Sequence, residues 1–151
     1  MRRGVRIGID VGSVRVGVAR SDPDAVMAVP VETVLRGDAD VARIKELVLE
    51  YDALELLVGL PLGLDGQEGR AAVLARDYAL VLAVAVAPVP VRLVDERLTT
   101  VTASRALRES GRTEKTSRAV VDQAAAVVIV EHALESERGS GVQPGHLVTT
   151  P

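Results

Sequence analysis

The sequence predicts a single α/β domain in which helices cover both faces of a mixed β-sheet. Two observations lead to this prediction: three β-branched runs follow one another near the amino terminus, and helical and apolar strand patterns then alternate. The 151 residues, 48% of them apolar, are enough for one core and too few for two lobes. We therefore expect one folded domain over residues 1–138 and a disordered tail over residues 139–151.

The three β-branched runs are predicted to form antiparallel strands. They cover residues 5–11, 14–20 and 26–34. The short turn at Gly12 and Ser13, between the first two runs, is typical of a hairpin. Asp22 and Pro23 are residues that favour a turn in the next connection. Each strand should therefore lie beside the one before it.

Helices and strands alternate after the third run. Asp38 or Asp40 is predicted to cap a helix, because apolar residues recur at helical spacing from Val41 to Val48. A near-continuous apolar run ends at Pro61 and is typical of a central strand that is covered on both faces. The predicted elements from there are a strand over residues 54–60, a helix over 67–83, a strand over 89–94, a helix from Thr99 or Thr100 to Glu109, a mobile loop over 112–118 and a helix over 118–137.

Right-handed crossovers between parallel strands predict the spatial order 3-2-1-4-5 for this sheet. The carboxyl ends of the first, fourth and fifth strands then open on one edge, where α/β proteins carry out their chemistry. Asp10 lies near the end of the first strand, Glu96 follows the fifth, and Asp122 lies in the predicted first turn of the last helix. Three carboxylates at one edge predict a metal site.

Each of these carboxylates also has a purely structural explanation. Asp10 can close an Asx turn, and Asp122 can favour a helix amino terminus through the macrodipole. Glu96 can form a surface ion pair with Arg92 or Arg97. The metal hypothesis therefore depends on the fold bringing all three residues together.

Composition limits the chemistry of such a site. The chain has no cysteine, and its two histidines, His132 and His146, are far apart in the sequence, which argues against zinc and against a thiol nucleophile. Carboxylate oxygens suit Mg²⁺ or Mn²⁺, and two such ions can activate water and stabilise the leaving oxyanion in phosphodiester hydrolysis. Tyr51 and Tyr78 are the only aromatic residues, so binding of single strands by base stacking is not expected.

The charge pattern indicates where phosphate would bind. Net charge is −3, yet residues 92–118 contain seven basic and four acidic side chains. Arginine binds phosphate with two parallel hydrogen bonds, and the alternative for each basic residue is surface solubility. The candidate phosphate contacts are Arg15, Arg97, Arg112, Lys115 and Arg118.

Four segments resemble the signature blocks of the YqgF/RuvX family of Holliday junction resolvases and pre-ribosomal-RNA nucleases. They are Gly8-Ile9-Asp10-Val11-Gly12 with Arg15-Val16-Gly17-Val18-Ala19, Val58-Gly59-Leu60-Pro61-Leu62 with Asp65-Gly66, Asp95-Glu96-Arg97-Leu98-Thr99-Thr100, and Val121-Asp122-Gln123-Ala124-Ala125-Ala126. The resemblance extends from about Val5 to Leu134. One departure is Gly63, which stands where the loop often carries asparagine.

The resemblance implies a ribonuclease H-like fold and a Mg²⁺- or Mn²⁺-dependent nuclease. Asp10, Glu96 and Asp122 would be both its catalytic residues and its metal ligands. The implied role is maturation of the 5′ end of precursor small-subunit ribosomal RNA in ribosome biogenesis. The implied partners are that RNA and a pre-ribosomal particle, or branched DNA for a resolvase, which would act as a homodimer.

Two functions of other classes share these features. The first hairpin also resembles the phosphate loop of actin-like ATPases, but those proteins close two domains over a nucleotide, for which this chain is too short. A non-catalytic ribosome-assembly factor could keep the fold without the reaction.

The helix at residues 71–83 could form a dimer face or a buried core helix. With no signal-peptide pattern and no spanning apolar run, a cytoplasmic protein with no membrane contact is expected.

Overall fold

The computed structural model describes residues 1–96 and 115–150, and in the last helix it describes side chains from residue 121 onward. Within these residues no helix is both long enough and apolar enough to span a membrane. The strands are β1 (Arg6–Val11), β2 (Arg15–Ser21), β3 (Ala28–Leu35), β4 (Glu55–Leu60), β5 (Val91–Asp95) and β6 (His146–Leu147), and the helices are α1 (Asp40–Glu50), α2 (Arg70–Val86) and α3 (Lys115–Ser140).

The sheet is mixed and has the order β3-β2-β1-β4-β5-β6. β1 and β2 pair antiparallel, as do β2 and β3, whereas β1, β4 and β5 run parallel to one another. The predicted order of the first five strands is therefore confirmed. The predicted α/β class is confirmed as well.

Helices cover both faces because side chains alternate along each strand. In β1, Ile7 and Ile9 belong to the core that includes Ile44 of α1 and Leu82 of α2. Gly8 lies on the opposite face, because a Cβ built on it would come within 2.4 Å of Val130 in α3. Residues of even number in β1 therefore face α3, and Asp10 is one of them.

Glycines let α3 approach the sheet closely. A Cβ on Gly17 of β2 would lie 2.0 Å from the backbone oxygen of Asp122, and one on Gly59 of β4 would lie 2.6 Å from Ile129 Cδ1. Real Cβ atoms do not approach other atoms this closely. Together with Gly8, these residues put one glycine beneath α3 on each of three neighbouring strands. We call Gly8, Gly17 and Gly59 the glycine row.

The end of the chain corrects one prediction. The stretch 139–150, expected to lie in a disordered tail, contains the end of α3 and a short strand, β6, that pairs with β5. The α3 helix continues to Ser140, β6 pairs antiparallel with β5, and the Val148 N–H donates to the Val91 carbonyl at 2.8 Å. Arg92 also donates to the side chain of Gln143. These long-range contacts order a segment whose own composition favours disorder.

Two helix starts also differ from prediction. Neither Asp38 nor Asp40 caps α1: the capping position is Ala39, and Asp40 lies in the first turn, where it accepts from the Val41 N–H at 2.8 Å. The loop predicted over residues 112–118 is wrong from Lys115 onward, where the chain is already helical. The helix predicted from Thr99 or Thr100 lies outside the described residues.

Candidate active site

Asp10 lies at the carboxyl end of the parallel strands, between two members of the glycine row. Its Cα is paired with that of Gly17 across the β1–β2 hairpin. On the other side Ile9 pairs with Val58. Asp10 and Gly59 are the next residues of these two parallel strands, so they lie side by side. The Asp10 side chain is completely buried on the α3 face of the sheet. This placement explains why a charged residue can follow the apolar run of β1.

Asp122 is held above Gly17 by close packing of α3 on the sheet. Its backbone oxygen occupies the space that a Cβ of Gly17 would need, and its side chain is buried. The next residue, Gln123, donates from Nε2 to Thr33 Oγ1 at 3.1 Å, and Thr33 pairs with Gly17 across β2 and β3. Because α3 begins at Lys115, Asp122 is beyond the first helical turn, so the helix-dipole explanation is wrong.

Glu96 comes directly after β5 and turns back over β4. Its N–H donates to the Leu60 carbonyl at 3.2 Å, which extends the strand pairing by one residue. Its Oε2 lies 2.9 Å from the position that a Cβ of Gly59 would take, and the residue is buried. Arg92, a candidate partner in the ion-pair explanation, donates instead to Glu55 at 3.1 Å. Arg97, the other candidate, lies outside the described residues.

The three acidic residues therefore lie around one short stretch of the sheet. Asp122 lies over Gly17, the Glu96 carboxylate lies over Gly59, and Asp10 lies between these glycines on β1. Neighbouring strands are about 4.8 Å apart, so these positions fall within about 10 Å along the sheet. All three residues face the same side. The predicted convergence of the triad at one edge agrees with this geometry.

The donors suit a hard divalent cation. They are carboxylate oxygens, which Mg²⁺ and Mn²⁺ prefer, and Mg²⁺ needs only one or two carboxylates because it keeps several waters. In this conformation no three acidic, histidine or cysteine residues among those described form a complete metal-binding group. A cation held here would therefore complete its shell with water or with substrate oxygens. The glycine row leaves room for the Glu96 carboxylate over the sheet.

The structure describes the side chain of only one of the five candidate phosphate contacts. Arg15 is the first residue of β2, and its Nε stands 3.4 Å from Asp122 Oδ2, with both side chains largely buried. It therefore contacts a member of the triad. Lys115 and Arg118 lie at the start of α3, where side chains are not described, and Arg97 and Arg112 lie outside the described residues. These four residues stay predictions.

Three residues that help to build the site were not singled out by the sequence reasoning. Gly17 lets Asp122 approach β2, Gln123 ties α3 to β3, and Arg36 donates to the Gly12 carbonyl at 3.0 Å, two residues beyond Asp10. A glycine inside a β-branched strand is a signal of close backbone approach and could have indicated Gly17. The other two contacts join distant segments and leave no local pattern.

The opposite end of the sheet also buries carboxylates, but pairs them with arginines. Glu55, the first residue of β4, accepts from Arg2 Nη2 at 2.8 Å and from Arg92 Nε at 3.1 Å. Glu137, near the end of α3, accepts from Arg6 Nη2 at 2.9 Å and also from Arg2. Burial raises the pKa of Glu137, but hydrogen bonds and charges from Arg2 and Arg6 outweigh burial and hold that pKa below its usual value.

Comparison with known proteins decides the family. The sequence model of the RuvX family, described as Holliday junction resolvase, matches residues 4–136, which include Asp10, Glu96 and Asp122. The chain belongs to the RuvX family. This confirms the resemblance carried by the four sequence blocks and places the protein among nucleases.

RuvX relatives align with nearly the whole chain. A Nocardioides protein named "Putative pre-16S rRNA nuclease" is 59% identical over 98% of both chains. Relatives of the same name from Thermobifida fusca and Streptomyces avermitilis are 54% and 57% identical, over 98% and 96% of this chain and 98% and 94% of their own. The aligned stretch of each relative therefore covers the site and the elements that position it.

Solved structures of RuvC from Thermus thermophilus share the fold. One, in complex with a Holliday junction substrate, superposes with a TM-score of 0.58 and 18% identity over 96% of this chain and 99% of the other. A second superposes with a TM-score of 0.52 and 19% identity, over 90% and 97% of the two chains. The ribonuclease H-like fold implied by the sequence blocks is therefore confirmed for this RuvX protein.

Proposed function

We propose that this RuvX protein is a Mg²⁺- or Mn²⁺-dependent nuclease that hydrolyses phosphodiester bonds during maturation of the 5′ end of precursor 16S ribosomal RNA. The observation that carries this proposal is the arrangement of Asp10, Glu96 and Asp122, buried around Gly17 and Gly59 at the carboxyl edge of the sheet. Names of relatives at 54–59% identity support ribosomal RNA as the substrate. A pre-ribosomal particle as partner and a cytoplasmic location belong to the same proposal.

In this mechanism the three carboxylates would hold the metal, and the fold fixes two of them in place. Divalent ions would bind the three carboxylates, lower the pKa of an attacking water and neutralise charge on the leaving oxygen. Asp10 is held by the central strand, and Asp122 by the packing of α3, so neither has to be ordered when the substrate arrives. Burial excludes bulk water from around the carboxylates. The basic residues Arg97, Arg112, Lys115 and Arg118 would position the phosphate backbone.

The test compares cleavage by wild type, Asp10→Asn and Asp77→Asn. Asp77 is an exposed residue of α2, on the opposite face of the sheet, and makes a matched control. Each protein is given a precursor 16S RNA 5′ end and a four-way DNA junction of matched length, with Mg²⁺, with Mn²⁺ and with chelator. We expect cleavage by wild type and Asp77→Asn only when metal is present, and none by Asp10→Asn.

Two results would reject this mechanism. If no protein cuts either substrate with metal, the non-catalytic assembly-factor function takes its place. If Asp10→Asn cuts as fast as wild type, the triad is not the catalytic centre. The variant Gly63→Asn tests whether glycine in place of asparagine in this loop affects the cleavage rate.

Cleavage of four-way DNA junctions is the second candidate function. The family description and the fold shared with RuvC favour it. A symmetric junction needs two active sites, so this function requires a homodimer. Val73, Val81 and Val84 are exposed on α2 and offer an apolar face for it. Preference for the DNA junction in the cleavage test, together with a dimeric mass in solution, would select this function over RNA maturation.

A further inference from the structure

We propose that Arg15 forms an ion pair with the Asp122 carboxylate in the metal-free protein. A divalent cation and the substrate together would then move the Arg15 guanidinium from this carboxylate to a substrate phosphate. The inference rests on the proposed metal-dependent nuclease function. It differs from a simple phosphate contact, because Arg15 would oppose metal binding when no substrate is present.

The position of Arg15 is fixed by the hairpin that carries Asp10. Its carbonyl accepts from the Gly12 N–H at 2.9 Å, which closes the turn two residues after Asp10. Arg15 lies two residues before Gly17, so both face α3. The side chain thus starts on the face that holds the triad, and the turn fixes the position of its Cα.

The contact with Asp122 is an ion pair without a hydrogen bond from Nε. The Arg15 Nε lies 3.4 Å from Asp122 Oδ2, and this buried Nε donates to no atom of the described residues. Charge-assisted hydrogen bonds between arginine and carboxylate are about 2.7–2.9 Å long. The geometry therefore holds the two charges together by attraction through a largely dry region, and leaves the guanidinium able to rotate away.

The burial of the two side chains differs in a way that suits an exchange. The Asp122 side chain is 2% exposed, whereas that of Arg15 is 16% exposed. Arg15 therefore reaches solvent at the edge of the site while Asp122 stays inside it. Since α3 is clamped to the sheet by Gly17 and Gln123, the carboxylate is the fixed partner and the guanidinium is the movable one.

Charge decides the direction of the effect on metal binding. Arginine stays protonated at all physiological pH values, so its positive charge repels a cation that approaches the same carboxylate. A phosphate oxygen offers the guanidinium an equally good, bidentate partner. Metal alone must displace Arg15 from Asp122, whereas metal with substrate gives Arg15 a new partner.

The test is a calorimetric Mn²⁺ titration at fixed ionic strength without nucleic acid. It compares wild type, Arg15→Gln, Arg15→Lys and the control Arg43→Gln, which removes the same charge from a surface ion pair with Glu32. We expect Arg15→Gln to bind Mn²⁺ about five- to tenfold more tightly than wild type, near the lower end of typical couplings between sites. Arg15→Lys, which keeps the charge, and Arg43→Gln should stay within about twofold.

Cleavage supplies the second readout. For Arg15→Gln the Mn²⁺ concentration for half-maximal cleavage should fall while the maximal rate also falls, because the phosphate loses its guanidinium. A structural role for Arg15 would instead raise the metal requirement as the rate falls. If Arg15→Gln does not fold by circular dichroism, Arg15→Met, which keeps the apolar stem, replaces it in both experiments.

The possible failures are distinguishable. Unchanged or weaker Mn²⁺ binding by the folded Arg15 variant would overturn the exchange, even if wild type binds metal and cuts RNA. An equal gain in Arg43→Gln would also overturn it, since the effect would then follow net charge. Absence of Mn²⁺ binding by every protein, Arg15→Gln included, together with no metal-dependent cleavage by wild type, would overturn the proposed metal-dependent function itself.

Discussion

The two ends of the parallel strands bury the same chemical group in opposite ways. At the amino end Glu55 and Glu137 accept hydrogen bonds from Arg2, Arg6 and Arg92 at distances down to 2.8 Å. At the carboxyl end Asp122 has Arg15 at 3.4 Å, through an Nε that makes no hydrogen bond to the described residues. The amino end is thus a closed salt-bridge network, whereas the described contact between Arg15 and Asp122 is an ion pair with no hydrogen bond from Nε.

From this difference we expect the amino end to serve stability and the carboxyl end to serve the proposed function. A buried ion pair with good hydrogen bonds is costly to break, because the remaining partner keeps an uncompensated charge. Carboxylates that bind a divalent cation can be replaced by amides with a smaller loss of folding free energy, because the reaction and not the fold depends on their charge. Variants at the two ends should therefore separate activity from stability.

The largest expected effect is on activity, for Glu96→Gln at the carboxyl end. Loss of one metal-binding oxygen should reduce metal-dependent cleavage by roughly 10²- to 10³-fold. The free energy of unfolding, measured in urea, should change by no more than about 1 kcal/mol because the amide fills the same space. A variant that is strongly destabilised, or fully active, would show that Glu96 belongs to the structural class of carboxylates.

The opposite result is expected for Glu55→Gln at the amino end. Removal of this charge leaves Arg2 and Arg92 without their carboxylate, and we expect a loss of about 3 kcal/mol in the free energy of unfolding. Cleavage below the unfolding temperature should stay near that of wild type. Glu46→Gln, which removes an exposed partner of Arg43, is the control and should change stability by less than about 0.5 kcal/mol.

Gly17→Ala should affect both ends, because α3 connects them. The new methyl group would lie 2.0 Å from the Asp122 backbone oxygen, so α3 must move away from β2. We expect a loss of about 2–3 kcal/mol in the free energy of unfolding, with loss of cleavage in the protein that remains folded. Gly139→Ala, in α3 with open space around its Cβ position, should instead stabilise by about 0.5–1 kcal/mol.

The smallest expected effect is a dependence of stability on pH that comes from Glu137. Its pKa is lower in the folded protein than in the unfolded chain, so its charge stabilises the fold above the usual carboxyl pKa of 4.5, and this stability is lost as pH falls through the lowered value. Glu137→Gln should be less stable than wild type by about 1–2 kcal/mol at pH 7. The difference should shrink in urea unfolding measured below pH 4.5.

Glu131→Gln removes an exposed charge from the same helix and is the matched control for this titration. Its stability should follow that of wild type across the pH range. If Glu137→Gln shows an equal difference from wild type at every pH, the paired charge does not contribute to the pH dependence, and packing of Glu137 explains its effect.

The strands and their order could be predicted because each depends on local patterns. β4 is buried at every residue and was recognisable as an apolar run, and the hairpin of β1 and β2 followed from its short turn. The approach of Asp10 and Glu96 to one edge then followed from the handedness of the crossovers. For these residues the sequence pattern and the tertiary structure agree, so local reasoning was sufficient.

The missed features depend on contacts between distant segments. β6 is only two residues long and is held by β5 and by Arg92, which no local pattern at His146 reveals. The contact between Arg15 and Asp122 joins residues far apart in the chain, and charge alone suggested phosphate as the partner of Arg15. The start of α3 at Lys115 was missed because the residues there are polar and carry no capping signal.

The α3 helix is anchored to the rest of the domain near both ends of its described part. Gly17 and Thr33 hold it at Asp122 and Gln123, and Arg2 and Arg6 hold it at Glu137, about 22 Å further along its axis. Between these two anchors Ala126 and Val130 pack over Gly8, and Ile129 packs over Gly59. Because the helix is held along this whole length, a shift of Asp122 relative to Asp10 would require α3 to separate from the sheet, and bending alone would not produce it.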